Sequence, residues 1–232
     1  MAAIRGLEKF APKDFPGHIS CTIFVGGCNF RCPFCHNSDL VLNPGDVPVI
    51  PQDFFLDFID SRKDWLDAVC VTGGEPLMYE DITELLALIK QRGLRVKVDT
   101  NGSFPNRLEE IIEKGLVDYV AMDIKAILGK YSLASGVDVN TDDIKKSIEI
   151  INNSKVDTMY RTTVVPGLIG RKDIEEIGKM LKGSPLFQLQ QFSPKNTLDK
   201  SYRDIKPYPK EEIQEYARIS EKYFSKVNLE GI

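Results

Sequence analysis

The sequence lacks the features that would place it in a membrane or outside the cell. No run approaches the roughly 18 consecutive apolar residues of a membrane helix. Residues 1–10 contain no apolar segment of the kind that directs secretion. Basic residues are not in excess: 30 Lys and Arg stand against 34 Asp and Glu, a net charge of −4. That balance offers no electropositive field to nucleic acid. Repeats, low-complexity tracts and a Pro- or Gly-rich linker are also missing. With 232 residues, 42% of them hydrophobic, the expectation is one domain over residues 1–232, its core at about 18–225. The chain is expected to be cytoplasmic, with no membrane or nucleic-acid partner.

Cysteine is scarce as well. There are five, and three of them fall in the stretch CNFRCPFCHN, as Cys28, Cys32 and Cys35. Cytosolic thiols stay reduced, so the cluster reads as metal-binding or catalytic rather than as a disulfide framework. A structural zinc ion wants four ligands. His36 is adjacent to Cys35 and poorly placed to share one tetrahedral ion with it. Cys21 and Cys70 lie in apolar runs, where free cysteine serves as a small buried hydrophobe. A redox pair of Cys32 and Cys35 leaves Cys28 unexplained. Three thiolates suit a [4Fe–4S] cluster in which one iron keeps an open position, and an open position on a metal centre receives a substrate or cofactor.

Along the rest of the chain, apolar β-branched runs alternate with amphipathic ones. Strands are expected at residues 19–25, 68–72, 94–99, 117–123, 158–165 and 187–192. Helices are expected at 51–61, 80–92, 106–114, 141–152, 172–181 and 210–224. Thr141 stands at an N-cap ahead of Asp142 and Asp143, and Gly93 and Gly115 stand where helices end. Six alternating βα units imply a parallel sheet with right-handed crossovers, either doubly wound or curved into part of a barrel. Periodicity leaves that choice open. The chemistry-bearing motifs fall at successive strand ends, where such folds build their sites. They are Cys28 to Cys35, Gly73-Gly74-Glu75, Asp99-Thr100-Asn101-Gly102 and Asp123-Ile124-Lys125.

C-x3-C-x2-C with Phe34 before the last cysteine resembles the signature of the radical S-adenosylmethionine (SAM) enzymes. Thr72-Gly73-Gly74-Glu75-Pro76 is similar to that family's GGE motif. The resemblance implies a partial (β/α)6 TIM-like barrel. It also implies a [4Fe–4S] cluster on Cys28, Cys32 and Cys35, with SAM chelated to the fourth iron and cleaved to a 5′-deoxyadenosyl radical. Gly73, Gly74 and Glu75 would meet the methionine amino group, and Phe34 would lie near the adenine. DTNG and DIK resemble further SAM contacts of glycyl-radical-enzyme activases. In them Asp99 would help hold the amino group, Asp123 a ribose or nearby polar group, and Lys125 the carboxylate, with Asn101 of DTNG a further cofactor-binding candidate. Taken alone, Asn101-Gly102 is a turn pair, and Asp123 with Lys125 a strand-end salt bridge. Arg161, in the apolar run YRTTVVPG, needs a partner. Asp123 and the SAM site both qualify.

The lead-in at residues 6–37 and LQQFSPKNTLD at 189–199 resemble the branch that activates anaerobic ribonucleotide reductase. That likeness implies a glycyl-radical protein as partner and a flavodoxin or ferredoxin as electron donor. No second cysteine set and no ferredoxin-like insert is present between Asn37 and Val69. The sequence departs from pyruvate formate-lyase activase at a late SAM-contacting histidine. Its only histidines are His18 and His36, and Ser193 and neighbouring glutamines stand near that place. Two alternatives remain at this level: a small-molecule radical SAM enzyme like 7-carboxy-7-deazaguanine synthase, and an iron–sulfur electron carrier.

Overall fold

The computed structural model describes residues 2–232. Its strands are β1 (Ile4–Glu8), β2 (Ser20–Val25), β3 (Ala68–Gly73), β4 (Arg95–Thr100), β5 (Tyr119–Asp123), β6 (Asp157–Val164), β7 (Leu186–Gln191) and β8 (Lys226–Glu230). The helices are α1 (Ser38–Leu42), α2 (Gln52–Asp60), α3 (Ile82–Lys90), α4 (Pro105–Glu113), α5 (Tyr131–Ser135), α6 (Thr141–Asn153), α7 (Arg171–Met180) and α8 (Lys210–Ser220). All eight strands form one sheet in chain order. β1 runs antiparallel to β2, and every later neighbouring pair is parallel.

Strand order decides what periodicity leaves open. Successive parallel strands with crossovers of one hand place every helix on the same side, which winds the sheet toward a barrel rather than a doubly wound slab. The six expected βα units correspond to β2 through β7. Two strands exceed the expectation. β1 (IRGLE) is broken by glycine and charge, and β8 (KVNLE) carries only two apolar residues, so neither gives a strong strand signal.

Helix ends follow the expected chemistry with one correction. Gly93 and Gly115 adopt positive φ, 77° and 64°, just past α3 and α4. The cap of α6 is Asn140, not Thr141: its side chain accepts from the Asp142 amide at 3.2 Å, and Thr141 is already helical.

Strand alternation gives the sheet two unlike faces. Ile23, Val25, Val69, Val71, Val96, Val98, Val120, Met122 and Leu189 face the helices in the main core. On the inner face a smaller cluster, Phe15 with Ala68, Tyr119, Ala121 and Met159, closes the floor at the N-terminal ends of the strands. The Phe15 and Tyr119 rings meet edge to face, 5.6 Å between centroids. Phe15→Ala opens a cavity in that floor and is expected to cost about 3–5 kcal/mol. Urea unfolding measures the loss; a cost under about 1 kcal/mol would show that the floor has another support.

Candidate functional site

Above this floor, at the C-terminal ends of the strands, lies a cavity of about 370 Å³. All twelve residues singled out from the sequence line it: Cys28, Cys32, Phe34, Cys35, Gly73, Gly74, Glu75, Asp99, Asn101, Asp123, Lys125 and Arg161. Thr72, Thr163 and Gln190, from the quoted stretches but not singled out there, and Asp14 and Glu230, from outside any motif, join them. Near the place of the late histidine, Gln190 reaches the cavity and Ser193 does not border it.

The Gly-Gly pair is first a packing requirement. A Cβ on Gly74 would lie 1.7 Å from the Gly27 carbonyl oxygen, and Gly73, at φ 119°, sits against the Val25 backbone. That closeness lets the Gly74 amide donate to the Val25 carbonyl at 2.9 Å and the Glu75 amide to the Gly27 carbonyl at 2.8 Å. The end of β3 is thereby fastened to the start of the cysteine loop. Asn37, just past CNFRCPFCH, donates its amide to the Gly73 carbonyl at 2.9 Å.

Glu75 fastens the next junction. Its side chain is buried and accepts from the Leu77 amide (3.1 Å), the Thr100 hydroxyl (2.8 Å) and the Asn101 amide (2.6 Å). The carboxylate therefore ties the β3 end to the β4 end. Burial nonetheless pushes its pKa up to about 7, against the pull of those donors.

On the inner face, five charged side chains form a continuous ladder across β4, β5 and β6. Lys97 pairs with Asp99. Asp99 meets Arg161 at 3.3 Å, Arg161 meets Asp123 at 2.6 Å, and Asp123 meets Lys125 at 3.0 Å. Burial would raise the Asp123 carboxyl, but Arg161 and Lys125 overcome it and hold the group well below the usual carboxylate range. Burial likewise opposes charge on Lys125, and Asp123 reverses that effect, so the ammonium is held more firmly than usual. Both readings of Arg161 meet here, because the residue pairs with Asp123 and faces the cavity.

Lys97 has no motif, yet it is 2% exposed at the root of the ladder. The signal for it is the alternation Arg95, Lys97, Asp99 on one face of a strand whose other face is Val96 and Val98. Cys70 corrects the expectation that it is an apolar filler. It sits on the inner face, its sulfur 3.6 Å from the Lys97 ammonium and 3.8 Å from Asp99. Cys21 does lie in the main apolar core.

The cysteine loop is clamped from outside. The Arg31 amide donates to the Ser135 carbonyl at the end of α5 (2.7 Å). The Leu198 and Asp199 amides donate to the Cys35 and Pro33 carbonyls (3.1 and 2.9 Å). His36 Nδ1 lies 3.1 Å from the Lys195 carbonyl. The late stretch at 189–199 is thus a support of the loop. Cys28 accepts from the Phe30 amide at 3.3 Å and from the Asn101 amide group at 3.9 Å. Burial raises the Cys28 thiol to about 12 and the Cys32 thiol to about 11. Among the described residues, no three His, Cys, Asp or Glu side chains converge as ligands of a single ion would. Cys28, Cys32 and Cys35 line one cavity wall, and thiolates are the ligands that iron–sulfur clusters take.

Residues 22–181 match the model of the Radical SAM superfamily. A protein of Methanocaldococcus jannaschii, provisionally named a glycyl-radical enzyme activating enzyme, is 35% identical over all of this chain and 97% of its own length. The chain belongs to the radical SAM superfamily, among its glycyl-radical-enzyme activases. The pyruvate formate-lyase-activating enzyme of Clostridium pasteurianum is 28% identical, over 91% of this chain and 93% of that one. The fold resembles SuiB of Streptococcus suis, crystallised with SAM, at a TM-score of 0.70 and 19% identity; the match covers 88% of this chain and 48% of SuiB. The chain therefore spans about half the length of that structural neighbour. Radical SAM enzymes use a [4Fe–4S] cluster and SAM, and the donor set of this cavity fits both.

The buried carboxyl of Glu75 gives this activase a pH signature. Between its ordinary value near 4.5 and about 7, the folded chain holds a proton that the unfolded chain has released. The resulting stability is fully present below the lower value and is lost as pH rises through the upper one. In cofactor-free protein, the stability difference between Glu75→Gln and wild type should move in the variant's favour by up to about 3 kcal/mol between about pH 5 and about pH 8. Thermal unfolding across that range measures it. A difference independent of pH would place the carboxyl at its ordinary value.

Proposed function

We propose that this activase installs the glycyl radical of an anaerobic ribonucleotide reductase in the cytoplasm, as a single domain reduced by a flavodoxin or ferredoxin. The observation that carries the activase chemistry is the shared cavity of three cysteines and four strand ends. The choice of partner is supported by the 189–199 stretch, which resembles that branch and braces the cysteine loop. The chemistry that a bound cluster and SAM would supply is removal of a hydrogen atom from a glycine α-carbon of the partner.

The chain's own residues bind, orient and exclude water. Cys28, Cys32 and Cys35 hold the cluster as thiolates. Because burial raises two of these thiols, loading the cluster must release protons. Lys125, kept charged by Asp123, would receive the SAM carboxylate, and Asp99 and the Gly73–Glu75 turn would receive the ammonium. Glu75 Oε1 already accepts twice, whereas Oε2 accepts once and keeps a lone pair for that ammonium. Asn101 braces Cys28 and Arg161 fixes both aspartates, while Phe34 would border the adenine and Asp123 the ribose. The Phe15 floor keeps water from the base of the barrel.

Anaerobic reconstitution followed by reduction, with SAM and the reductase in one tube, tests the proposal. A glycyl EPR doublet with matching 5′-deoxyadenosine is expected. Deoxyadenosine without a doublet would discard this partner. Cys28→Ala, Cys32→Ala and Cys35→Ala are each expected to remove at least 99% of SAM cleavage, with Cys21→Ser and Cys70→Ser keeping most of it. Equal loss across all five would contradict the three-ligand assignment.

A further inference from the structure

We propose that the free edge of β8 receives the partner's polypeptide as an added strand, laying the segment that carries the target glycine across the mouth of the cavity. The inference rests on the activase reading and specifies how that partner docks.

Among the described residues, β8 ends the sheet and pairs only with β7. In a parallel ladder, a residue turns both its N–H and its C=O toward one neighbour, and the next residue turns both the other way. The Lys226 amide donates to the Pro185 carbonyl at 3.1 Å, and Lys226, Asn228 and Glu230 stand opposite Leu186, Gln188 and Gln190. Those three residues of β8 therefore face β7. Val227 and Leu229 turn their N–H and C=O groups outward, and no hydrogen bond to these four groups occurs among the described residues.

What this edge presents is backbone. The Val227 and Leu229 side chains pack against the main core, so they do not cover the edge with apolar surface. Two donors and two acceptors in strand spacing complement another extended backbone and match no small molecule so well.

The edge also leads to the chemistry. Glu230 and Gln190 line the same cavity as Cys28, Cys32 and Cys35. The Glu230 carboxylate takes one hydrogen bond, from the Gln188 amide, and no cation pairs with it among the described residues. That charge favours a segment with a basic side chain near its glycine. An activase must bring a backbone glycine from a folded partner to a buried reactive centre. A strand added at β8 fixes both the height and the direction of that backbone.

The test uses cluster-loaded, SAM-bound enzyme under anaerobic conditions, with full-length anaerobic ribonucleotide reductase as the probe. Amide hydrogen exchange at Val227 and Leu229 is expected to slow at least tenfold when the reductase binds. The amides of Asn228 and Glu230, already bonded to β7, should change little. Leu229→Pro removes one outward N–H and leaves every β7 bond in place, a substitution that edge strands accept. It is expected to weaken reductase binding at least tenfold while SAM cleavage without reductase stays near wild type, and Leu229→Ala should bind within threefold of wild type. Exchange at Val227 and Leu229 unchanged in a complex that does form overturns the β8 site and leaves the activase reading standing. Protection of those amides that grows with enzyme concentration alone would assign the edge to a second copy and likewise overturn it. Failure of wild-type enzyme to bind the reductase overturns the proposed partner, and this docking with it.

Discussion

Five charges buried on the inner face of one sheet constrain the rest of the molecule. Removing an ion from water costs several kcal/mol unless partners surround it. Lys97, Asp99, Arg161, Asp123 and Lys125 meet that condition together, each carboxylate held between two cations. The set spans β4, β5 and β6, and the Arg161 pairs that join its two halves form only when those strands align their C-terminal ends. Three cations against two carboxylates leave the ladder with an excess of one positive charge. That excess lies beside three cysteines which burial discourages from ionising, and beside the position where a ligand carboxylate would lie.

Around this ladder, backbone fastenings hold the cysteine loop. Glycine at 73 and 74 brings β3 against β2 and Gly27, Glu75 joins β3 to β4, and residues 195–199 and Ser135 brace the loop from outside. None of these contacts needs a cofactor in order to form. Preorganisation of this kind spares the reorganisation that would otherwise oppose binding. It also explains why a GGE turn serves the fold and the site together: the close approach that positions the Glu75 carboxylate is the one that excludes a Cβ at 74.

Much of this was legible in the sequence. Spacing and composition place Cys28, Cys32 and Cys35 together, and β-branched runs mark six of the eight strands. Motifs at strand ends are brought to one cavity because parallel βα units repeat one geometry. The rest depends on tertiary contacts. β1 and β8 have too few apolar residues to announce themselves and are strands because a neighbour offers a ladder. Cys70 reads as a small apolar filler and Lys97 carries no motif until the curl of the sheet gives both an interior. The cap of α6 falls on Asn140 rather than Thr141, because two adjacent residues can both cap and local geometry selects one. That Asp123, Lys125 and Arg161 form both a salt-bridged chain and a cavity wall could not be decided from sequence, since one arrangement satisfies both readings.

The central claim is that the ladder is poised toward a ligand rather than serving only to bind strands together. SAM affinity of the cluster-loaded enzyme, compared between wild type and Lys125→Met by anaerobic calorimetry with Tm measured in parallel, tests this most directly. Lys125 ends the ladder, and Asp123 retains Arg161 without it. The account predicts affinity reduced at least tenfold with Tm changed by no more than about 3 °C, a stability effect below about 1 kcal/mol. Unchanged affinity with a Tm lower by many degrees would contradict it and make the ladder a structural brace alone.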